Sequence, residues 1–103
     1  MSAANTARGE AEVLIAGQIL CLRPSFAALV AAEGELGPLF ALVERAAGGG
    51  LTLTELAGLF WHCLAEAPAE LTRAAFSEGL VEGGLARVTP ALRVLLGQVL
   101  AGR

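Results

Sequence analysis

A single carboxylate interrupts an apolar helical pattern in the stretch LRPSFAALVAAEGELGPL, residues 22–39. Ser25 offers a cap for a helix here. Helical spacing then gathers four large apolar residues on one face: Phe26, Leu29, Val30 and Leu36. Glu33 falls in the middle of that face. A carboxylate in such a setting is either a catalytic acid or a structural group that ties one helix to its neighbour.

A catalytic acid needs a partner carboxylate or nucleophile at a defined spacing. Glu35 is two residues further on and points away, and no motif supports a pair between Glu33 and Glu12 of the preceding segment. As a structural group, Glu33 could accept hydrogen bonds from Arg45 or from backbone N–H groups that open a nearby helix. We therefore predict a structural tie that involves Glu33 and Arg45, and no catalytic residue.

Residues 44–56, ERAAGGGLTLTEL, have the outline of a calcium-binding loop, with an acid near each end and glycine between them. Calcium takes about six to eight oxygen ligands, and two of the loop positions that supply them hold Ala46 and Gly48 here. Two carboxylates and one threonine cannot replace the hydration shell of the ion. We interpret the segment as a glycine stop followed by a capped helix, and predict no metal site.

The single histidine and the two cysteines do not form a catalytic set. His62 lies on the polar face of its predicted helix, where we expect it to be solvated, whereas Cys63 points to the other side. Cys21 and Cys63 lie far apart in apolar contexts, which favours free buried thiols over a disulfide. The glycines at 48–50 and 82–84 lack the lysine of a phosphate-binding loop. We predict no enzymatic activity and no cofactor.

The elements that position these residues are predicted to be a β-hairpin followed by about five short helices packed as a small bundle, a mainly α fold. Residues 10–23 carry apolar runs on both sides of Ala16-Gly17, which suits a tight turn. Thr52 followed by Glu55 is a capping box and marks the clearest helix start. Caps, prolines and glycines predict helices over 25–36, 38–47, 52–66, 68–82 and from Thr89 onward.

The core faces of the last three helices follow from apolar spacing. The predicted core residues are Leu53, Leu56, Ala57, Phe60, Cys63, Leu64, Leu71, Ala75, Phe76, Leu80, Leu92, Leu95, Leu96 and Val99. Leu59 and Trp61 fall at the borders of their helix, and Val94 faces outward.

The apolar content exceeds what so small a core needs. The 103 residues are 55% apolar, with a mean hydropathy of +0.66. We expect one domain over residues 9–103 after a loose tail at 1–8. The longest uncharged runs fall short of the ~18 residues of a membrane span, and no signal peptide is indicated. A cytoplasmic protein without a membrane partner is expected, and the surplus of apolar side chains favours a protein partner.

The charges argue against nucleic acid as a partner. The net charge is −3, from 7 basic and 10 acidic residues. The arginines are spread from Arg8 to Arg103 and form no basic stripe of the kind that phosphate binding needs.

The order of residues in RGEAEVLIAGQILCLRPSFAALVAAEGELGPLFALVERA, and in LTLTELAGLF after it, resembles the gene-transfer-agent type of phage tail assembly protein. This family is described both as tail assembly chaperones and as tail tube proteins. The resemblance covers residues 8–101 and departs from the family at Ala16-Gly17, where relatives usually place a more polar turn. The features that carry it are Arg8-Gly9-Glu10, Leu22-Arg23, Phe26, Ala28, Leu29, Glu33, Gly37, Leu39, Leu42 and Arg45.

The resemblance implies a small helical protein of a phage-like particle. Related chaperones hold the tape-measure protein, a long helical chain with apolar stripes, until tube subunits polymerise around it. We therefore expect a tail assembly chaperone or adaptor that binds apolar helical segments, with the tape-measure protein, the tail tube or both as partners. The candidate groove residues are Leu59, Trp61, Val81 and Val94.

Two other functions remain open at this stage. One is a structural tail tube or tail-completion component that stays in the particle. The other is a small ligand-binding or enzymatic domain that uses Glu33 and Glu12. The sequence also leaves homo-oligomerisation open.

Overall fold

The computed structural model describes residues 10–83 and 85–101, and for 85–87 and 98–101 it describes the backbone alone. The predicted tail at 1–8 and the predicted core residue Val99 lie outside the described residues and side chains. An N-terminal hairpin and five helices confirm the predicted mainly α fold. The elements in chain order are β1 (Ala11–Ile15), β2 (Gln18–Leu22), α1 (Phe26–Leu36), α2 (Leu39–Ala47), α3 (Leu53–Cys63), β3 (Leu64–Ala65), α4 (Arg73–Glu82) and α5 (Leu85–Ala101).

The hairpin forms around the predicted turn. Ala16 has φ 51° and Gly17 has φ 82°, and positive φ at both central residues is the mark of the tight turns that match strand twist. The register runs from Ile15 opposite Gln18 to Ala11 opposite Leu22. Burial alternates along β1, so that one face of the hairpin packs against the helices.

The buried face of α1 is only partly the predicted one, because Leu29 and Leu36 pack against the core as expected but Phe26 and Val30 do not. Phe26 is 85% exposed and Val30 is 49% exposed, whereas Ala32 is fully buried. Ala28, Leu36 and the fully buried Ala32 pack toward the core, and a Cβ added at Gly58 of α3 would lie only 3.2 Å from a methyl group of Leu36. The two helices approach closely along this face, and Phe26 and Val30 are left outside it.

α1 and α2 meet at a sharp bend. Gly37, with φ 93°, ends α1, and Pro38 precedes the first residue of α2. Among the described residues no single helix is long and apolar enough to cross a membrane. α1 and α2 meet the length and composition requirement only as a pair, and that pair is bent by 80°.

The start of α3 confirms the capping box, because Thr52 Oγ1 accepts from the Glu55 N–H and Glu55 Oε1 accepts from the Thr52 N–H. The predicted end at residue 66 is wrong. Helix α3 stops at Cys63 because Leu64 and Ala65 form β3, which pairs antiparallel with the end of β2. The three strands lie in the order β1-β2-β3.

The predicted starts of α4 and α5 are also wrong. Thr72 caps α4 by accepting from the Ala75 N–H at 3.1 Å, and the Pro68 carbonyl instead closes a turn with the Leu71 N–H. Helix α5 continues through Pro90 rather than starting beside it. Pro90 is the sixth residue of α5. Because proline has no N–H, it cannot donate the backbone hydrogen bond to the carbonyl four residues earlier that another residue would make there.

The core lies between the inner face of the hairpin and α3, α4 and α5. Three predictions about it are wrong: Leu53 is 45% exposed and Ala75 is also exposed, whereas Leu59, predicted at the border, is only 2% exposed. The largest fully buried side chains are Phe60, Phe76, Leu22, Leu42, Leu59, Leu80, Leu95 and Cys63.

Gly79 lets α4 lie directly on the hairpin, and its replacement tests that contact. A Cβ at Gly79 would lie 2.5 Å from Ile15 Cγ2. We expect Gly79→Ala to lower the free energy of unfolding by about 1–3 kcal/mol, measured by urea titration. Gly34→Ala is the matched control, since a Cβ there meets nothing within 4 Å and should stabilise α1 by up to about 1 kcal/mol. Equal effects of the two variants would contradict the close contact.

Candidate functional site

Glu33 joins α1 to α2 through a backbone contact. The side chain is exposed, so the predicted carboxylate inside an apolar stripe is wrong. Its Oε2 accepts from the Leu39 N–H at 3.0 Å. Pro38 offers no capping side chain to α2, and Glu33 supplies the missing acceptor together with a negative charge at the positive end of the helix. No catalytic geometry surrounds this carboxylate among the described residues.

Arg45 contacts a different acid from the one expected. Its Nη2 donates to Glu55 Oε2, so no direct tie between Arg45 and Glu33 forms. Glu55 thereby caps α3 and fixes α2 at the same time. The Thr52 backbone N–H, and then Arg45, hold the pKa of Glu55 below its usual value.

A three-residue ionic cluster connects α1, α3 and α4. Glu35 Oε1 lies 2.8 Å from His62 Nε2 and accepts from Arg73 Nη1 at 2.7 Å. Hydrogen bonds from Arg73, and then from His62, lower the pKa of Glu35 from 4.5 to about 2. The guanidinium of Arg73 lies over Gly58, where a Cβ would come within 2.9 Å of Nη2.

This Glu35 cluster corrects one prediction, because His62 is half-buried and bonded rather than freely solvated. Glu35 contacts α3 and α4, whereas Glu33 contacts α2, so the two carboxylates do not form a pair. A carboxylate with a pKa of about 2 is a poor proton donor or acceptor at neutral pH. The arrangement therefore suits helix docking better than acid–base catalysis.

The thiols and the other acids offer no reactive centre in the part of the chain that the structure describes. Both cysteines are free. Burial raises the pKa of Cys63 to about 12, and burial, followed by the charge of Glu10, raises that of Cys21. Both thiols are thus protonated at neutral pH and are weak nucleophiles. Within the described ranges no three His, Cys, Asp or Glu side chains are grouped so that they could hold a metal ion.

An ion pair between a buried carboxylate and an exposed guanidinium closes the open end of the hairpin. Glu10 is 4% exposed, and its Oε2 accepts from Arg23 Nε at 2.9 Å. The pair follows directly after the Ala11 and Leu22 pair of the ladder. Because a charge is costly to bury without a partner, this contact fixes where the hairpin begins and ends.

Large apolar side chains are exposed in three areas of the surface. On the outer face of the hairpin, Leu14 lies opposite Ile19. The second area belongs to α1 and α2, and the third to α3 and α4. The seven exposed residues are Leu14, Ile19, Phe26, Val30, Phe40, Leu53 and Val81.

The third area is concave, and we call it the α3–α4 groove. It is a cavity of about 480 Å³. Its apolar lining is Leu53, Ala57 and Val81. Its polar lining is Thr54, Arg73, Ser77, Glu78 and Glu82. A smaller cavity of about 290 Å³ lies beside the outer face of the hairpin.

Only one of the four predicted groove residues lines this groove, and it is Val81. Leu59 is buried in the core, which contradicts its predicted place on a binding surface. Trp61 is half-buried, with its ring centroid 5.7 Å from that of Phe76. Val94 is half-buried against the core rather than outward-facing. Leu53, which the sequence assigned to the core, lines the groove instead.

A search against protein-family models matched residues 8–102 to the family described as phage tail tube protein, GTA-gp10. Neither the curated proteins nor the solved structures gave a match. The matched range includes the hairpin, the Glu35 cluster and the α3–α4 groove. It agrees with the family resemblance found in the sequence.

The contact of Glu33 with α2 can be tested by substitution. Glu33→Ala removes the acceptor for the Leu39 N–H, and we expect a loss of about 1 kcal/mol in the free energy of unfolding. Glu33→Gln keeps an oxygen acceptor but not the charge, so its loss should be smaller. Thermal melts of the two variants and the parent check this order. An Ala variant as stable as the parent would contradict the capping role.

The Glu35 cluster predicts a pH dependence of stability. The pKa of Glu35 is lower in the folded chain than its usual 4.5, so the contribution is complete above about pH 4.5 and is lost as the pH falls toward 2. We expect the melting temperature of the parent to exceed that of Glu35→Gln at neutral pH, and the difference to vanish near pH 2. Glu70→Gln, at an exposed acid outside the cluster, is the control. A difference that does not change with pH would contradict the ionic origin.

Proposed function

This chain belongs to the family of phage tail proteins described as phage tail tube protein, GTA-gp10, and we propose that it is a tail assembly chaperone or adaptor. In this role it binds an apolar helical segment of another tail protein during tail morphogenesis. The tape-measure protein, a long helical chain, is the partner we favour. The action is binding alone, without catalysis, in the cytoplasm of the cell that builds the particle.

The exposure of bulky apolar residues is the observation that supports this role most. Single exposed hydrophobes are normal on a soluble protein, but here they occur in neighbouring pairs. Leu14 lies opposite Ile19 on the hairpin, and Phe26 lies one helical turn before Val30. Phe26 and Phe40 are the most exposed of the seven. Apolar surface of this kind favours contact with another polypeptide.

The shape of the surface favours a helical partner. The α3–α4 groove runs between two helices, and a helix in an apolar groove is a recurring mode of protein recognition. Small side chains such as Thr54, Ala57 and Ser77 in its lining allow a partner backbone to approach closely. A tape-measure segment with an apolar stripe meets this requirement.

A second candidate function is a structural component that stays in the tail. The description of the family as a tail tube protein favours it. The exposed apolar areas would then contact tube subunits, or further copies of this chain, in the finished particle.

Capture and particle composition distinguish the two functions. We expect the tagged full-length chain to capture the tape-measure protein of the same particle, because its exposed apolar areas bind a helical segment. We also expect mass spectrometry of purified particles to find few or no copies of the chain. Excess untagged chain is the competition control. Many copies in the particle, with capture of tube subunits alone, would contradict the chaperone and favour the structural component.

A further inference from the structure

The α3–α4 groove has room for several apolar side chains. Leu53 and Val81 line it from different helices and are 45% and 48% exposed. Ala57, a small buried residue, lies in the same lining. An apolar cavity of ~150 Å³ holds one benzene molecule, so about 480 Å³ has space for roughly three groups of that size.

The length of the groove matches a helix with three apolar anchors. Along α4 the lining runs from Arg73 to Glu82, which at about 1.5 Å per residue is ~14 Å. Anchors at positions i, i+3 or i+4, and i+7 of a docked helix span ~10 Å by the same rise. The volume and the length therefore indicate the same occupant, about two turns of an amphipathic helix.

The free charge of the groove is negative. Glu78 and Glu82 are exposed and lie one turn apart at the C-terminal end of α4. Neither forms a salt bridge with another described residue. Arg73, the cation in the lining, is already bound to Glu35. The exposed charge that a partner would meet is thus acidic.

The position of these two acids is unfavourable for α4 itself. Like charges one turn apart repel, and negative charge at the C-terminal end of a helix opposes the helix dipole. A cation from a partner would offset both effects. The acids therefore favour a basic neighbour.

We infer that the α3–α4 groove binds an amphipathic helix of a partner tail protein in which Lys or Arg flanks the apolar stripe. The inference rests on the proposed function and adds the surface and the chemistry of the partner. A second copy of the chain fits less well, because each copy carries a net charge of −3. The helix of a second copy that carries basic residues without acidic ones is α5. Its residues Ala91 and Leu95 are already buried in the core of their own chain, so they are not available to a groove.

Peptide binding tests the inference on the full-length chain. Labelled peptides that tile the tape-measure and tube proteins of the same particle are titrated with the chain and followed by fluorescence anisotropy. We expect the tightest peptide to be an amphipathic helix with a basic flank, and its affinity to fall as salt is raised. A tightest peptide with an acidic flank would overturn the inference.

Variants then locate the site. We expect Glu78→Gln combined with Glu82→Gln to weaken the tightest peptide about three- to tenfold and to reduce its salt dependence. Val81→Ser should weaken it at least about tenfold, since it removes an apolar anchor. Ala74→Ser, at an exposed residue of α4 outside the groove lining, is the control and should leave affinity unchanged. Phe26→Ser, on the exposed surface of α1, tests whether that area binds the peptide instead. Circular dichroism melts verify that each variant is folded.

The outcomes separate this inference from the proposed function. Full affinity of folded Val81→Ser, with a loss in Phe26→Ser, would overturn the groove but keep the function, since a tail protein is still bound. Self-association that is abolished by Val81→Ser would also overturn it, because a second copy would then occupy the groove. Failure of the parent chain to bind any tail protein or peptide would contradict the function itself.

Discussion

Surface-to-volume geometry limits how much apolar side chain this protein can hide. A domain of 103 residues buries roughly two-thirds of the surface that its unfolded chain exposes, while 55% of its residues are apolar. Phe60 and Phe76 occupy the interior, and Phe26 and Phe40 remain on the surface. The apolar exterior follows from this limit, and the proposed role in binding another polypeptide depends on it.

Close packing through small residues decides which side chains are left outside. Gly58 lets α1 and the Arg73 side chain lie against α3, and Gly79 lets α4 lie on Ile15 of the hairpin. Ala32 provides the buried contact of α1. Since these approaches use residues with little or no side chain, bulky neighbours such as Phe26 are turned to solvent. The same packing that stabilises the fold therefore exposes apolar surface.

Elements with strong local signals could be predicted from the sequence. The turn at Ala16-Gly17 requires positive φ, and the caps at Ser25 and Thr52 satisfy N–H groups within their own segment. The start of α4 could have been predicted in the same way, because Thr72 is a good capping residue and accepts from the Ala75 N–H. The prediction instead started the helix at Pro68, since proline is common in the first turn of a helix. The paired charges Glu10 and Arg23 also follow from the turn, which places them opposite each other.

Features that depend on tertiary contacts could not be predicted. The two-residue strand β3 exists only because the end of β2 offers it a partner. The Glu35 cluster needs α1, α3 and α4 side by side, which no spacing within one segment reveals. Leu53 was predicted in the core but is exposed, and Leu59 was predicted at the border of its helix but is buried. Apolar periodicity identifies the apolar stripe of a helix but not which residue lies at the centre of its buried face. The α3–α4 groove therefore became visible only in the structure.

Chemical-shift mapping can locate the bound segment on the surface of the protein. Proton–nitrogen NMR spectra of the full-length chain are recorded with and without the tail-protein segment that it binds. We expect the largest changes at Leu53–Ala57 and Ser77–Glu82, the two sides of the groove. Changes confined to the hairpin, or to α1 and α2 around Phe26 and Phe40, would contradict binding in this groove.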